Sequence, residues 1–410
     1  MTIKPHIIQS TQFKTNSIVI KFKAPLNENT MSQRAILAKL LTRITKKYPT
    51  DQSLINHLSD LYGAHLYSNV LKQNNTHVIT IGIDFIQNRY LDQPMYLVEE
   101  AFKLLNEVVF HPCFDENQFD NRAFNQEKRL MLNKYEAIKD NKGQYSFYQL
   151  LSNMFKDEAY QYPSFGSKSH LLSLNNEDIF QAYQSMLAND EKHIYVCGDV
   201  EPTDIQKYIE QYLPLKSYPV NMPLIRLEDS ENPLIVDVGQ TQQARLNIGL
   251  TFEINETKDY FAFLVMNQLF GGDTMSLLFT NVREKLSLAY QIHSQVDARS
   301  GFLFVLSGVK NDQYIQAIDT IKVQFDKLQK GEFDVSLLET AKRMLKNHKL
   351  ESFDRPKGYI ESAFSNTYVM PHTKEAWLEG ITNVDVDEVV RIALTGKFHT
   401  IYCLTSEVSS

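Results

Sequence analysis

Cysteine is scarce in this chain. The three thiols among 410 residues, Cys113, Cys197 and Cys403, lie far apart and in no metal or redox spacing, which excludes a disulfide framework and a cysteine-bound metal. Cys197 in IYVCGDV and Cys403 in IYCLTS fall inside apolar, strand-like runs, where a buried reduced thiol is expected. No apolar stretch approaches the length of a membrane span, and the N-terminal MTIKPHIIQSTQFK has no apolar h-region, so a cytoplasmic protein is the expectation. Nor is there a large excess of one charge. The net charge of −7 and pI near 5.9 argue against nucleic acid or an anionic membrane as the main partner.

Catalytic signatures are missing as well. All eleven histidines are isolated, with no H-x-x-H, H-x-x-x-H, H-E-x-x-H or H-x-x-E-H, and neither G-x-S-x-G nor a G-x-x-x-x-G-K phosphate loop occurs. His372 in HTKEA has a glutamate three residues on but no second histidine, and is expected to be a surface or core residue.

What is present is a chain too long for one ordinary core, with the apolar and charged content (43% and 22%) of a soluble globular protein. It also reads twice. HVITIGIDFIQNRYLDQPMYLVEEAFKLLNEVVFHPCFDENQFD and GFLFVLSGVKNDQYIQAIDTIKVQFDKLQKGEFD both run strand, turn, amphipathic helix, and then an FD that opens a second helix. The FD pairs are placed at Phe114-Asp115 and Phe333-Asp334, with each aspartate as an N-cap. The closing strand recurs as HIYVCGDV and HTIYCLTSEV, and SIVIKFKA and ARLNIGLTFEI read as strands with one face buried. Helices and strands mix without strict alternation, so an α+β fold of two homologous domains is expected: 1–215, a linker over 216–232, and 233–410. The linker is marked by four prolines in LPLKSYPVNMPLIRLEDSENPLIV.

Four stretches in this order resemble the pitrilysin/insulinase metallopeptidases, which include the mitochondrial processing peptidases. They are LSDLYGAHLYSNV with Gly63, NQEKRLMLNKYEAIKDN, the region Tyr162–Pro202, and FGGDTMSLLFTNVREKLSLAY. The resemblance covers nearly the whole chain. It implies two copies of a processing-peptidase-like α/β sandwich, each an antiparallel-rich sheet packed with helices. Active members hold zinc with H-x-x-E-H, whose two histidines lie one turn apart on a helix face beside a glutamate base, and a later helix supplies a third ligand. Alignment through LSDLYGAHL puts the histidines on Ala38 and Thr42 and the base on Leu41. No register rescues the motif, because no histidine occurs between His6 and His57. The later ligand falls at Lys134, with Glu127 and Glu136 close by in sequence. No metal or other cofactor is therefore expected on this chain.

The family also carries an arginine and a tyrosine in its C-terminal half that contact the peptide backbone beside the scissile bond. The matching residues are Arg283 and Tyr290, with Gly271 and Gly272 upstream to allow a tight turn or close backbone approach. A plainer reading of VREKLS is a helix segment in which Arg283 pairs with a surface carboxylate and Tyr290 ends the helix in the core. The resemblance implies a non-catalytic, peptide-binding subunit that works with a zinc-bearing homologous partner. A homodimeric peptide-binding scaffold, or a peptidase active alone through an unforeseen site, are the alternatives. An edge strand in one half, with SIVIKF or NTHVITIGI as the candidates, is expected to add a peptide strand by backbone pairing.

Overall fold

Two five-stranded sheets organise the chain, each in its own compact unit. The structure is a computed structural model that describes residues 3–91, 96–230, 234–367 and 373–406, so His372 lies outside the described residues. One unit comprises Met1–Glu136, Tyr162–Pro223 and Ser352–Ser365; the other comprises Ala137–Gln161, Leu224–Glu351 and Asn366–Ser410. In chain order the strands are β1 (His6–Gln9), β2 (Thr15–Pro25), β3 (His65–Gln73), β4 (Thr76–Ile86), the short pair β5 (Phe114–Asp115) and β6 (Gln118–Phe119), β7 (Glu191–Gly198), β8 (Leu234–Val238), β9 (Ala244–Thr251), β10 (Ala289–Asp297), β11 (Phe302–Val309) and β12 (Lys397–Thr405). The helices are α1 (Glu28–Leu41), α2 (Asp51–Asp60), α3 (Leu97–Phe110), α4 (Asn121–Asp140), α5 (Lys142–Met154), α6 (Lys168–Ser173), α7 (Asn176–Asn189), α8 (Pro202–Tyr212), α9 (Thr257–Asn267), α10 (Tyr314–Gln329), α11 (Val335–Ser352), α12 (Pro356–Asn366), α13 (Lys374–Asn383) and α14 (Val386–Leu394).

The sheet of the first unit runs β1-β7-β2-β4-β3 and that of the second β8-β12-β9-β11-β10. Both are antiparallel except for the β1/β7 and β8/β12 pairs, which are parallel. One strand order therefore occurs twice, and the α+β duplication expected from the sequence is present.

Three expectations are corrected. Asp115 lies in β5 and caps no helix; the cap of α4 is Asp120, whose Oδ1 accepts the Ala123 N–H at 2.7 Å. The stretch FDENQFD contains two FD pairs, and the helix uses the second. Asp334 does cap α11, accepting the Ser336 N–H at 2.8 Å. SIVIKF and NTHVITIGI belong to β2 and β4, which are interior; the sheet edges are β1 and β3, and β8 and β10. Nor is only one face of β2 buried, since residues 16–24 are all buried, including Lys21 and Lys23.

The buried lysines show what covers the second face. Lys21, with no exposure, places its ammonium 2.7 Å from Glu361 and 4.0 Å from the Phe364 ring centroid, both on α12. Lys23 pairs with Glu191 at 3.0 Å. The first unit's sheet is thus covered by a helix from late in the chain. In the second unit α5, from early in the chain, packs on β9 and β12, where Ser146 Oγ bonds the Arg245 carbonyl at 3.1 Å and accepts from Asn247 Nδ2 at 2.8 Å. The two helices occupy equivalent places after α4 and α11, so the repeats contribute them reciprocally.

Helix α1 forms where Asn27 caps the Asn29 N–H and a run of apolar residues follows. Its residues Ala35 to Ala38, Leu40 and Leu41 belong to the core of the first unit. It also buries Arg34, whose charge is met on several sides. Nε donates to His77 Nδ1 at 3.1 Å, Nη2 to the Phe22 carbonyl at 3.0 Å, and Nη1 lies 2.8 Å from Asp190. His77 Nε2 lies 2.7 Å from the Ser164 carbonyl, so Nε2 carries the proton and Nδ1 accepts. Burial first, and the Arg34 charge second, push the His77 imidazole down to about 3.

This fixes a sign. The folded state keeps His77 neutral while the unfolded chain protonates below its ordinary 6.5, so this contribution is lost as pH falls from 6.5 toward 3. Asp190, pushed up to about 6 by burial, acts oppositely between about 6 and 3.8 because the folded state takes the proton first. Comparing wild type with His77→Gln isolates the imidazole. Urea denaturation across pH 4–6.5 should show the difference in unfolding free energy moving in the variant's favour by about 1.4 kcal/mol per pH unit of acidification.

Candidate functional site

The aligned zinc-motif positions lie at the C-terminal end of α1. Ala38 and Leu41 are fully buried in the apolar core, and Thr42 is the C-cap. Thr42 Oγ1 bonds back to the Ala38 carbonyl at 3.2 Å and lies 2.9 Å from Ser68 Oγ on the edge strand β3. Lys39, next to Ala38, donates to the Ser68 carbonyl at 2.6 Å, and burial followed by Lys134 lowers its ammonium pKa. Lys134 on α4 is exposed, with its ammonium 6.0 Å from the Phe165 ring centroid.

The nearby carboxylates are taken by cations. Glu127 accepts from Arg43 Nη1 at 2.8 Å, while the same guanidinium grips both oxygens of Asp51 at 2.9 Å and Gln126 at 2.8 Å. Glu136 pairs with Lys168. This donor set does not fit zinc: it offers a methyl group, a buried isobutyl group, a capping hydroxyl and ammonium groups where a divalent ion needs imidazole and carboxylate. Among the described residues no group of three or more His, Cys, Asp or Glu side chains is placed to hold a metal. The sequence named the missing histidines; it did not indicate that Lys39, Arg43 and Ser68 would tie this helix end to β3 and α4.

Arg283 and Tyr290 belong to the second unit, on either side of a sharp turn. Gln268–Gly272 and Phe279–Lys285 are wide π-helical turns. Arg283 is exposed and stacks its guanidinium 4.5 Å from the Phe279 ring centroid one turn earlier, with no carboxylate partner among the described residues. The chain then turns through Ser287 at φ +50°, Leu288 N–H closes back on the Val282 carbonyl at 3.0 Å, and β10 begins.

Tyr290 sits at a bulge, where the β10/β11 register shifts between Ala289 and Gln291, and it is 60% exposed. A bulge at a sheet edge redirects a side chain that a regular strand would align with its neighbours. Both halves of the plainer sequence reading are corrected: Arg283 stacks on a ring, and Tyr290 stands on an edge strand in solvent.

Gly271 shows why this region is built as it is. A Cβ there would lie 2.6 Å from Ser294 Oγ and 2.9 Å from Leu278 Cδ1, so its absence lets β10 approach the end of the preceding helical turn. Ser294 Oγ uses that approach to donate to Asn267 Oδ1 at 2.7 Å. At Gly272 a Cβ would meet Gln268 Oε1 at 2.8 Å. Neither glycine has a positive φ, so close approach rather than a left-handed turn is their role.

Residues 173–345 match the family described as Peptidase M16 inactive domain. A protein of Bacillus subtilis named probable inactive metalloprotease YmfF is 31% identical over 97% of this chain and 95% of its own length. A second B. subtilis protein, named uncharacterized zinc protease YmxG, is 26% identical over 62% of this chain and 61% of its own. Among solved structures, a conserved protein from Enterococcus faecalis V583 superposes with a TM-score of 0.88 and 28% identity, covering 98% of this chain and 96% of that one. No helix among the described residues is long and apolar enough to cross a membrane.

The close packing at Gly271 generates a test. Gly271→Ala should lower stability by about 1–3 kcal/mol, the usual cost of overpacking, read as a lower urea midpoint. It should also broaden or shift NMR signals of β10 around Ser294.

Proposed function

The chain belongs to the M16 peptidase family as an inactive homologue, and from that premise we propose that it is a non-catalytic subunit presenting Arg283 and Tyr290 to a peptide cut by a zinc-bearing homologous partner. The observation that carries this reading is the contrast between the two candidate sites. The end of α1 is given over to core packing and ion pairs, whereas Arg283 and Tyr290 are exposed without a structural task that accounts for either. A guanidinium offers several rigid N–H donors to peptide carbonyl groups, and a phenol O–H donates to an oxygen that gains negative charge as an amide is attacked. The exposure of Tyr290 at an edge bulge supports the second task, which needs no metal on this residue.

Two further points support the reading. The edge strand β10 leaves backbone groups open for pairing with an extended peptide next to Tyr290. Similarity to one B. subtilis protein named as inactive and to another named as a zinc protease is what a division of labour between homologous subunits would produce. The homodimeric scaffold uses the same edge strands but gives the exposed Tyr290 no chemistry.

Mixing the purified chain with an M16 homologue carrying H-x-x-E-H from the same genome should give peptide cleavage that neither shows alone. Tyr290→Phe should reduce that cleavage by roughly 100-fold, the scale of one lost donor to an oxyanion, and Arg283→Ala should chiefly raise KM. Unchanged activity in the double variant overturns the roles. Elemental analysis of the dialysed chain should find no stoichiometric zinc; tightly bound zinc with cleavage by this chain alone overturns the division of labour.

A further inference from the structure

Strand register sets a polar row across one face of the second unit's sheet. Gln291 of β10 pairs with Gly308 of β11, and Gly308 pairs with Arg245 of β9. Residues directly opposite in neighbouring strands share a face, so these three stand side by side. The face is the one α5 covers further along. Asn247 Nδ2, two residues on from Arg245, donates to Ser146 Oγ, and Met154 Sδ lies where a Cβ on Gly249 would be. Helix α5 therefore runs from Arg245 toward Gly249, and its first turn lies at the Arg245 end of the sheet.

Arg245 is partly buried, yet among the described residues no carboxylate, carbonyl or ring partners its guanidinium. Its Nε is sealed from solvent without a hydrogen bond, whereas Nη1 and Nη2, equally unbonded, are not sealed, so the forked end reaches solvent. Gly308 makes room for that end. A Cβ there would lie 3.1 Å from Arg245 Nη1 and 2.9 Å from Gln243 Oε1, itself a buried acceptor with no donor. The carboxylate in the same row, Asp237 on β8, lies beyond Leu404 of β12 and accepts from the Tyr402 hydroxyl at 2.7 Å. Stripping water from part of a guanidinium without supplying an anion costs free energy. The positive end of α5 at the same end of the sheet also favours a negative charge there.

We propose, resting on the peptide-binding role given to β10 above, that Arg245 binds a carboxylate of a peptide that reaches over β10 onto this face, with Gln291 beside it as a second donor. A guanidinium fork matches the two oxygens of a carboxylate. A half-turn of the Gln243 carboxamide puts its NH2 where Oε1 now lacks a donor, and adds a further N–H to the site. The Nη1 end at Gly308 stands one strand in from the sheet edge, about 5 Å, which an acidic side chain spans. The same chemistry comes from two sources, an acidic side chain or the carboxyl terminus of a peptide.

The test uses the full chain and three N-acetylated peptides of one sequence: amidated with a central glutamine, amidated with a central glutamate, and the glutamine peptide with a free carboxyl terminus. NMR titration should show at least one charged peptide binding about tenfold or more tightly than the neutral one, with shifts at Gln291 and Gly308. The charged peptide that is preferred identifies the source. Arg245→Met, which keeps an unbranched stem, should bring its affinity down to that of the neutral peptide, while Arg245→Lys should keep part of the preference. Gly308→Ala, whose methyl group crowds the guanidinium, should weaken the charged peptide several-fold with an unchanged circular dichroism spectrum. Should Arg245→Met fail to fold, Gly308→Ala and the three peptides on the wild type decide. Equal binding of all three peptides, binding of none, or a charge preference that survives Arg245→Met would overturn the proposal. Cleavage in the mixture with a zinc-bearing homologue separates the two readings. Carboxylate-selective binding without cleavage there refutes the division of labour alone, and cleavage with equal binding of the three peptides refutes this site alone.

Discussion

The fold of the first unit depends on a buried cation in its opening helix. Arg34 is tied to β2 through the Phe22 carbonyl, to β4 through His77, and to the approach to β7 through Asp190. A desolvated guanidinium is tolerable only where its donors are met, and removing one partner of such a group is far more damaging than never having had it. The three connections therefore hold α1 against the sheet in one rotation. That rotation turns Ala38 and Leu41 into the apolar core and leaves Lys39 to reach Ser68 on β3. Histidine at Ala38 or glutamate at Leu41 would place polar groups among packed aliphatic side chains, at a desolvation cost.

The second unit has the same strand order and puts it to a different use. At the strand following α2, the first repeat turns through Gly63 at φ +75° and runs into β3. The corresponding turn of the second repeat passes Ser287 and enters β10 with a bulge, which puts Tyr290 into solvent. One topology thus yields an edge fastened by Lys39 and Thr42 in one unit and an edge bearing an exposed phenol in the other. The difference lies in a few side chains and one inserted residue, which is the scale on which duplicated domains diverge in role while keeping their sheets.

Much of this was legible in the sequence, and the failures have physical causes. The doubled pattern of strand, helix and helix cap was readable because periodicity and N-caps are local signals. Even there the cap was misplaced, since Phe114-Asp115 and Phe119-Asp120 carry the same residue types and only tertiary packing puts the helix after the second. Edge strands were misjudged because SIVIKF and NTHVITIGI read as alternating, half-exposed segments. The covering of the second face of β2 comes from α12, whose Glu361 is 340 residues from Lys21, and no local pattern reports so distant a partner. The absence of a zinc motif could be read directly, because missing histidines need no geometry.

Arg283 and Tyr290 were singled out by the resemblance of the sequence around them, while the reasons for their exposure are conformational. The Phe279 ring under Arg283 lies one turn away and could have been noticed from spacing. The bulge beneath Tyr290 could not, since a register shift is a property of two strands together. Gly271 links the two levels: the missing Cβ, a fact of sequence, allows Ser294 to close on Asn267, and that contact fixes where β10 begins its course along the sheet edge. A phenol is useful at a reacting amide only if its strand does not drift. In the role proposed for Tyr290, the tight packing behind β10 and the exposure of the ring in front of it would be two halves of the same requirement, rigidity where the side chain is rooted and freedom from competing partners at its hydroxyl.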